Sequence, residues 1–215
     1  MMKKIFAVGD IHGCLTRLRD LMSRIDIDDD NDTLVFIGDY IDRGKSSREV
    51  VDYVLELKDK YKNVVCLLGN HEQMFMNYLA GRDEDMYLRN GGLQTLRSYE
   101  ISLTDGLEER EDKIPAQHQI FYESLLPYYE TEKYIFVHAG LRLGLPLKEQ
   151  TPDDLLWIRY EFINAEDDFG KPVVFGHTPF INPLIEKNKI GIDTGAVYGG
   201  KLTCVELPDV KIFQA

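Results

Sequence analysis

Three apolar runs lie in the first part of the chain, and each is followed by a short polar turn. The runs cover residues 5–8, 33–37 and 64–68, and such continuous apolar segments are typical of buried strands. After each turn, apolar residues recur at helical spacing, over residues 15–25, 50–57 and 75–79. In the second unit, Ser46 and Glu49 have the spacing of a capping box at a helix start. Three consecutive units of strand, turn and helix predict an α/β sheet with all three polar turns at one edge.

The rest of the chain divides into two parts. Residues 81–127 are less regular, with a glycine pair at 91 and 92, an acidic stretch at 108–112 and a predicted helix at 117–126. We interpret this part as a cap or a substrate-facing insertion. Short strands are predicted at 134–137, 173–175, 190–192, 202–207 and 210–213, the last three in a second sheet. Because no internal repeat or linker is recognisable, residues 1–215 are interpreted as a single domain.

The charge of the chain limits its partners. The 215 residues include 44% apolar residues and carry a formal net charge of -12. Because an acidic surface repels nucleic acid and anionic membranes, neither is an expected partner, and a phosphate substrate needs a local positive centre. No apolar run approaches a membrane span, and Asp10 interrupts the first run before a signal-peptide core is complete, which predicts a cytoplasmic protein. Cys14, Cys66 and Cys204 are widely spaced and are interpreted as free thiols.

Polar residues with metal-binding chemistry follow the predicted strands. They are Asp10, His12, Asp39, Asp42, Arg43, Asn70, His71, His138 and His177. Imidazole, carboxylate and amide oxygen without thiolate suit manganese, iron or zinc, and a shared carboxylate can hold two such ions about 3.5–4 Å apart. The simplest assignment gives Asp10 and His12 to one ion, Asn70, His138 and His177 to the other, and Asp39 to both.

Five short motifs resemble those of a known enzyme family. They are Gly9-Asp10-Ile11-His12-Gly13, Gly38-Asp39-Tyr40-Ile41-Asp42-Arg43-Gly44, Gly69-Asn70-His71-Glu72, His138-Ala139-Gly140 and Gly176-His177-Thr178. In this order they resemble the signature of the phosphoprotein phosphatase family of calcineurin-like metallophosphoesterases, and residues 192–197 resemble its small bacterial and phage members. The resemblance implies a four-layer α-β-β-α fold in which two packed mixed β-sheets are flanked by helices. It also implies the same distribution of metal ligands as the residue types suggest.

The resemblance leads to a mechanism as a hypothesis. A hydroxide bridging two divalent ions, expected to be Mn²⁺ with Fe or Zn as alternatives, would attack phosphorus in line. His71, polarised by Asp42, would protonate the leaving group as a general acid. Arg43 and, by resemblance, Arg159 would bind the phosphate oxygens.

Three of the candidate residues have structural alternatives. Asn90 and Tyr198 are candidates for the substrate pocket, although each could equally belong to a structural turn. Arg159 could stack on Trp157 in place of binding phosphate. These assignments therefore depend on where the fold places the side chains.

The predicted function is phosphomonoester hydrolysis by a metal-dependent protein serine/threonine phosphatase, acting on phosphorylated protein or a small phosphoester. The alternative is a symmetrical bis(5'-nucleosyl)-tetraphosphatase, which hydrolyses diadenosine tetraphosphate and resembles this chain in every metal motif. The sequence leaves open the natural substrate, the preference between serine/threonine and tyrosine, and the oligomeric state.

Two other classes of protein remain as alternatives. Residues 38–46 resemble the P-loop of a nucleotide-binding protein, because Gly44, Lys45 and Ser46 lie between a strand and a helix. A P-loop has four residues between its glycines, whereas Gly38 and Gly44 enclose five, two of them acidic. A catalytically silent binding module with the same fold is the other alternative, and it would retain metals without hydrolysing any phosphoester.

Overall fold

The computed structural model describes residues 3–166 and 169–215, in which ten strands form two sheets. The strands are β1 Ile5–Val8, β2 Thr33–Phe36, β3 Val64–Cys66, β4 Tyr128–Glu130, β5 Ile135–Val137, β6 Val173–Phe175, β7 Leu184–Ile185, β8 Lys189–Gly191, β9 Thr203–Leu207 and β10 Lys211–Gln214. The first sheet has the order β10-β9-β1-β2-β3, and the second has the order β4-β5-β6-β8-β7. Strands β1 to β3 pair in parallel, as do β5, β6 and β8, whereas the other four pair antiparallel. Both sheets are therefore mixed, as the resemblance implied.

Nine α-helices lie in the described ranges. They are α1 Leu15–Ser23, α2 Ser47–Lys60, α3 Asn70–Leu79, α4 Glu84–Arg89, α5 Leu93–Ser98, α6 Leu107–Asp112, α7 Ala116–Glu123, α8 Pro152–Trp157 and α9 Tyr160–Ile163. Helix α2 begins after Ser46, as predicted, but the Ser46 side chain makes no cap hydrogen bond. The capping-box prediction is wrong because Ser46 has φ -116° and ψ 45°, outside the extended conformation from which a cap side chain reaches the first-turn N–H groups.

The alternation of side chains along β1 shows how the layers form. Ala7 faces the space between the two sheets, where it packs with Val35 of the first sheet and Val174 of the second. Phe6 and Val8 face the opposite side and pack in the core cluster that contains α1, α2 and α3. A third cluster joins the outer face of the second sheet to α8 and α9. The layers are thus helices, sheet, sheet and helices, which confirms the predicted four-layer fold.

Two of the C-terminal strands lie in a different sheet from the one predicted. Strand β8 joins the second sheet, but β9 pairs with β1, with Val205 opposite Ala7, and β10 pairs with β9. Their assignment to the second sheet is wrong because the sheet that a short strand joins depends on packing against distant segments. Strands β4 and β7 were not predicted, and they are only three and two residues long.

Residues 81–127 form α4 to α7 on the helical side of the first sheet. Tyr99 and Phe121 are buried in the same core cluster as Phe36 of β2. Residues 87–95 reach the polar turns, where the hydroxyl groups of Tyr87 and Thr95 contact a buried carboxylate. The segment therefore completes a helical layer and touches the polar edge at one place, while its predicted role toward substrate remains untested.

Among the helices of residues 3–166 and 169–215, none has the length and apolar character needed to cross a membrane. Cys14, Cys66 and Cys204 are free, with the second and third buried and Cys14 half-buried. Burial raises the pKa of the Cys66 thiol to about 11, and a thiol with such a pKa is a poor nucleophile at neutral pH.

Candidate metal centre

The polar turns converge where the parallel strands of both sheets end. Six candidate metal ligands follow β1, β2, β3, β5 and β6, and their exposed fractions lie between 0% and 6%. They are Asp10, His12, Asp39, Asn70, His138 and His177. The repeated order of strand and polar turn therefore brings these six residues to one buried edge, as expected for ligand sites in open α/β sheets.

Several of these turns have backbone conformations that L-residues rarely adopt. The φ angle is 46° at His12, 55° at Asp39 and 62° at His177, and it is 70° at Asp42 and 64° at Arg43. Such a conformation costs of the order of 1–3 kcal/mol and persists only where the surroundings determine it. These five are among eight non-glycine residues with positive φ in the described ranges. Backbone strain is therefore concentrated at the polar edge.

A buried carboxylate fixes the turn after β2 against the turn after β3. Glu72 accepts hydrogen bonds from the backbone N–H groups of Asp39 at 2.9 Å, Tyr40 at 2.8 Å and Ile41 at 3.3 Å. It also accepts one from Gly69 at 3.1 Å. A Cβ atom at Gly69 would lie 2.2 Å from Asp39 Oδ1, so only glycine allows this approach. Glu72 thus stabilises the left-handed turn that determines the orientation of the Asp39 carboxylate.

The first of two groups of acceptor atoms lies around the Asn70 side chain and includes atoms of Asp39, His138 and His177. Its Oδ1 lies 2.9 Å from His138 Nε2 and 2.9 Å from His177 Nδ1, and Asp39 Oδ1 lies 3.4 Å from His138 Nε2. His138 Nδ1 donates to the Ile37 carbonyl oxygen at 2.9 Å, so Nε2 of the neutral ring carries a lone pair. That lone pair faces two oxygen acceptors.

The second group of acceptor atoms lies around His12 and also includes Asp39, which therefore belongs to both groups. Asp39 Oδ2 lies 3.4 Å from His12 Nε2, and His12 Nδ1 donates to a backbone carbonyl oxygen at 2.8 Å. Ligand atoms of His12, Asp39 and His71 lie within 4.8 Å of one another. Asp10 lies beside both groups, because its carboxylate accepts the His177 backbone N–H at 3.0 and 3.2 Å and is close enough to Asp39 for the two charges to interact.

The chemistry of these acceptors fits bound cations. Burial lowers the pKa of His12 to about 3 and also lowers the pKa of His138, so both rings are neutral and offer lone pairs. Burial, together with the neighbouring Asp193 and Asp39 carboxylates, raises the pKa of Asp10 well above its usual value. Lone pairs and carboxylates that face one another repel, and a bound cation removes that repulsion. The residues present therefore fit the predicted pair of divalent ions.

His71 and Asp42 form a buried pair beside the second group. His71 Nδ1 donates to Asp42 Oδ2 at 2.6 Å, and both side chains are almost fully buried. The ring packs edge-on against His12, with 4.7 Å between centroids. The remaining ring atom, Nε2, is buried and has no hydrogen-bond partner among the described residues. No protein group in the described ranges thus occupies the atom that the predicted general acid would use, and that role stays a prediction.

Each candidate phosphate-binding arginine lies beside a different acceptor group. Arg43 Nη1 contacts His12 Nε2, and the Arg43 guanidinium lies 5.5 Å from the ring centroid of Tyr198. Arg159 Nη1 donates to the His177 carbonyl oxygen at 3.1 Å. The structure thus brings Arg43, Arg159 and Tyr198 to the predicted site.

Asn90 is connected to the site through its neighbours. Its side-chain amide donates at 2.8 Å to the carbonyl oxygen of Met86 in α4, the helix that ends one residue before Asn90. The next residue, Gly91, accepts the Arg43 backbone N–H at 3.1 Å. Trp157, the alternative partner of Arg159, packs against the His177 ring instead, with 5.9 Å between centroids.

Three residues of this site were not assigned a role from the sequence. Glu72 belongs to a recognised motif, so its position gave a signal that could have been used. Tyr87 and Thr95 donate to Asp42 Oδ1 at 2.8 and 2.6 Å, but they lie in the irregular part of the sequence. Their contact with Asp42 depends on packing between distant segments, which no local pattern reveals.

Comparison with known proteins places this geometry in a family. The model of the calcineurin-like phosphoesterase family matches residues 3–209. The asymmetrical bis(5'-nucleosyl)-tetraphosphatase PrpE of Oceanobacillus iheyensis is 29% identical, covering 96% of this chain and 89% of its own. A solved structure of a candidate diadenosine tetraphosphatase has a TM-score of 0.74 at 23% identity, covering 100% of this chain and 94% of its own. A cold-active protein tyrosine phosphatase has a TM-score of 0.71 at 19% identity, covering 100% of this chain and 79% of its own.

The family match extends over both sheets and over every polar turn of the site. Members of this family use a binuclear centre of divalent metal ions, and the buried acceptor groups around Asp39 fit such a centre. The chain therefore belongs to the calcineurin-like phosphoesterase family, in agreement with its resemblance to the phosphoprotein phosphatases, and is a metal-dependent phosphoric ester hydrolase.

Proposed function

We propose that this protein hydrolyses dinucleoside tetraphosphates asymmetrically, releasing a nucleoside triphosphate and a nucleoside monophosphate. Relatives named for this reaction are 27–29% identical and match 95–96% of the chain. The structural observation that carries the proposal is the position of Arg43 and Arg159, each beside a different acceptor group. Guanidinium groups bind phosphate oxygens in a bidentate manner. Arg43 and Arg159 could therefore bind successive phosphates of one substrate.

The proposed reaction assigns a role to each group of residues. The ions, proposed to be Mn²⁺ with Fe or Zn as alternatives, would supply positive charge beside the phosphates and would lower the pKa of water when bound. Their ligands would be Asp10, His12, Asp39, Asn70, His138 and His177. A water oxygen forms a new bond to phosphorus, and the bond from phosphorus to the leaving nucleoside phosphate oxygen breaks. Arg43 and Arg159 orient the phosphate oxygens during this exchange.

The buried pair of His71 and Asp42 would assist the departure of the leaving group. Asp42 holds the ring through Nδ1 at 2.6 Å, so that a proton on Nε2 can pass to the leaving oxygen. A general acid of this kind contributes typically 10²–10⁴ to a rate, and it matters most where the leaving group is a strong base. Tyr198 beside Arg43, and Asn90, are proposed to line the pocket that holds the rest of the substrate.

A second candidate function is protein serine/threonine phosphatase activity. The observation that favours it is the same buried pair, because a serine or threonine alkoxide is a far more basic leaving group than a nucleoside phosphate. Proton donation by His71 would therefore accelerate cleavage of such a phosphoester more than cleavage of a phosphoanhydride. We therefore keep phosphoserine and phosphothreonine peptides as competing substrates.

The decisive experiment compares substrates on one preparation of Mn²⁺-loaded enzyme. Diadenosine tetraphosphate and peptides carrying phosphoserine, phosphothreonine or phosphotyrosine are supplied separately, and the products are separated by ion exchange. The proposal predicts ATP and AMP in equal amounts at a kcat/KM well above that for any peptide. Asp39→Asn serves as the control for contaminating phosphatases, because it removes the shared carboxylate.

The other outcomes are equally distinct. Two ADP molecules per substrate would replace the proposal with symmetrical cleavage. Rapid hydrolysis of phosphopeptides with an unchanged dinucleotide would replace it with the protein phosphatase function. Retained metal with no hydrolysis of any phosphoester would contradict both.

A further inference from the structure

The outer oxygen of the Asp42 carboxylate is held by two hydroxyl groups from the helical segment 81–127. Tyr87 Oη donates to Asp42 Oδ1 at 2.8 Å, and Thr95 Oγ1 donates to it at 2.6 Å. The other oxygen, Oδ2, accepts the His71 Nδ1 proton at 2.6 Å. Tyr87, Thr95 and Asp42 have an exposed fraction of 0%. Both hydrogen bonds to the carboxylate are therefore shielded from solvent.

The backbone of Asp42 is fixed by Thr95 and by Ser47. Its N–H group lies 2.9 Å from Thr95 Oγ1 and 3.0 Å from Ser47 Oγ. A hydroxyl group carries one proton, and Thr95 has its shortest contact with Asp42 Oδ1. Thr95 thus donates to the side chain of Asp42 and accepts from its backbone N–H. These bonds leave the carboxylate one orientation, in which Oδ2 faces His71.

The glycine pair noted in the sequence makes this contact possible. A Cβ atom at Gly92 would lie 2.5 Å from the Tyr87 ring, so only glycine allows the ring to take this position. Gly91, with φ 99°, accepts the Arg43 backbone N–H at 3.1 Å. One short segment therefore supports both the carboxylate behind His71 and the backbone of Arg43.

We propose that Tyr87 and Thr95 are positioning residues for proton donation by His71. This inference rests on the general-acid role given to His71 under the proposed function. During hydrolysis of a phosphate ester, a water oxygen bonds to phosphorus and the ester P–O bond breaks. The proton on His71 Nε2 moves to the departing oxygen, and His71 keeps its Nδ1 proton on Asp42. Of the two protons of the attacking water, one stays on the phosphate product and the other passes to solvent, from which Nε2 is protonated again. Proton transfer needs the ring held in line with the departing oxygen, and Asp42 holds it only when its own Oδ1 is fixed.

The test uses two substrates that differ in their need for a proton. Phenyl phosphate and p-nitrophenyl phosphate have nearly the same shape, but phenolate is the much more basic leaving group. Loss of proton donation therefore slows the first substrate more than the second. The quantity measured is the ratio of kcat/KM for phenyl phosphate to kcat/KM for p-nitrophenyl phosphate.

The variants are Tyr87→Phe and Thr95→Val, each of which removes one hydroxyl group with little change in volume. We expect each to lower kcat/KM for phenyl phosphate about tenfold, as expected for a lost hydrogen bond to a charged group, and to change p-nitrophenyl phosphate less than about threefold. The matched control is Tyr78→Phe. Tyr78 packs against Tyr87, with 5.1 Å between centroids, but its buried hydroxyl has no hydrogen-bond partner among the described residues. For Tyr78→Phe, the ratio of the two kcat/KM values should equal that of the unmodified protein.

His71→Asn separates this inference from the function on which it rests. This variant should lower kcat/KM for phenyl phosphate by a factor of about 10²–10⁴ and kcat/KM for p-nitrophenyl phosphate far less. A normal ratio in His71→Asn would remove the general-acid role itself. A changed ratio in His71→Asn with a normal ratio in both hydroxyl variants would overturn only the positioning role. Equal losses on both substrates, with lower manganese content or melting temperature, would likewise overturn it in favour of a purely structural role.

Discussion

Asp39 is the residue on which the site depends. Its two carboxylate oxygens face different histidines, with Oδ1 3.4 Å from His138 Nε2 and Oδ2 3.4 Å from His12 Nε2. The side chain is 1% exposed. A single carboxylate that faces both groups of acceptor atoms can join two cations.

Asp39→Asn is expected to reduce bound manganese from two ions per chain to fewer than one, and to lower kcat/KM at least about 100-fold. An amide nitrogen cannot bind a cation, so one of the two groups loses its shared ligand. Metal content after gel filtration, measured by mass spectrometry, checks this. Asp32→Asn is the matched control, because Asp32 is also buried and accepts the Lys4 backbone N–H at 2.9 Å, but at the opposite end of β2. Two ions retained by Asp39→Asn would contradict the assignment.

Arg159→Ala is expected to raise KM for the phosphate substrate about tenfold, because a guanidinium bond to a phosphate oxygen is lost. Steady-state kinetics on the preferred substrate measures it. Arg24→Ala provides the control, since Arg24 is an exposed arginine paired with Asp20 on α1. If both kinetic constants of Arg159→Ala match those of Arg24→Ala, Arg159 has no part in phosphate binding.

For single residues, the sequence predicted the position of a candidate ligand correctly where that ligand directly follows a strand. Asp10, Asp39 and Asn70 each follow an apolar run, so their meeting could be predicted from strand order alone. The partners of Asp42 could not, because Tyr87 and Thr95 reach it from a segment more than 40 positions away. Hydrogen bonds between distant segments depend on the packed structure and leave no periodic signal.

Among the elements, the short helix α9 depends on a lysine of the second sheet. Lys189 of β8 is 1% exposed, and its Nζ donates to the carbonyl oxygens of Phe162 at 3.3 Å, Ile163 at 2.7 Å and Ala165 at 2.5 Å. A cation at a helix C-terminus stabilises the helix dipole and satisfies its last carbonyl groups. Because Arg159 directly precedes α9, this contact also anchors the arginine.

Lys189→Met is expected to lower the free energy of unfolding by about 1–3 kcal/mol, since the carbonyl groups at the C-terminus of α9 lose the hydrogen bonds that the buried Lys189 ammonium group donates. Urea unfolding followed by circular dichroism measures it. Lys187→Met, at an exposed position two residues earlier, should change the unfolding free energy by no more than about 0.5 kcal/mol. Equal stability of the two variants would show that Lys189 does not hold α9.

The elements themselves were predictable to different degrees. Strands β1 and β6 were placed correctly because each is a continuous apolar run beside a polar turn. Strand β9 was predicted as a strand, but its neighbour in the sheet was not. The pairing of β9 with β1 joins opposite ends of the chain, which no local pattern indicates. Strands β4 and β7 are too short for their own pattern to distinguish them from loops.

For the whole molecule, the bound ions should be part of folding stability. Without them, the carboxylates of Asp10 and Asp39 lie close together in the interior of a chain with a net charge of -12. A ligand that binds only the folded state at 100 times its Kd stabilises it by about 2.7 kcal/mol. For a protein of this size, that corresponds to about 5–10 °C in melting temperature.

Removal of metal by a chelator is therefore expected to lower the melting temperature by about 5–10 °C, and added Mn²⁺ should restore it. Thermal unfolding followed by fluorescence provides the measurement. The Asp39→Asn variant is the control, because its melting temperature should respond little to either treatment. A melting temperature of the unmodified protein that ignores both chelator and Mn²⁺ would contradict the metal centre.

The order of layers was predictable for the whole molecule because it follows from a resemblance carried by five motifs. Substrate choice was not predictable, because it is proposed to depend on the surface around Arg43, Tyr198 and Arg159. The motifs specify the chemistry at the strand ends and carry no information about the surface around them.

The most direct test of the account is anomalous X-ray diffraction from crystals soaked in Mn²⁺. The account predicts two anomalous peaks, one on each side of the Asp39 carboxylate. One peak should lie against His12 and Asp10, and the other against Asn70, His138 and His177. A single peak, or manganese bound without Asp39 as a common ligand, would contradict it.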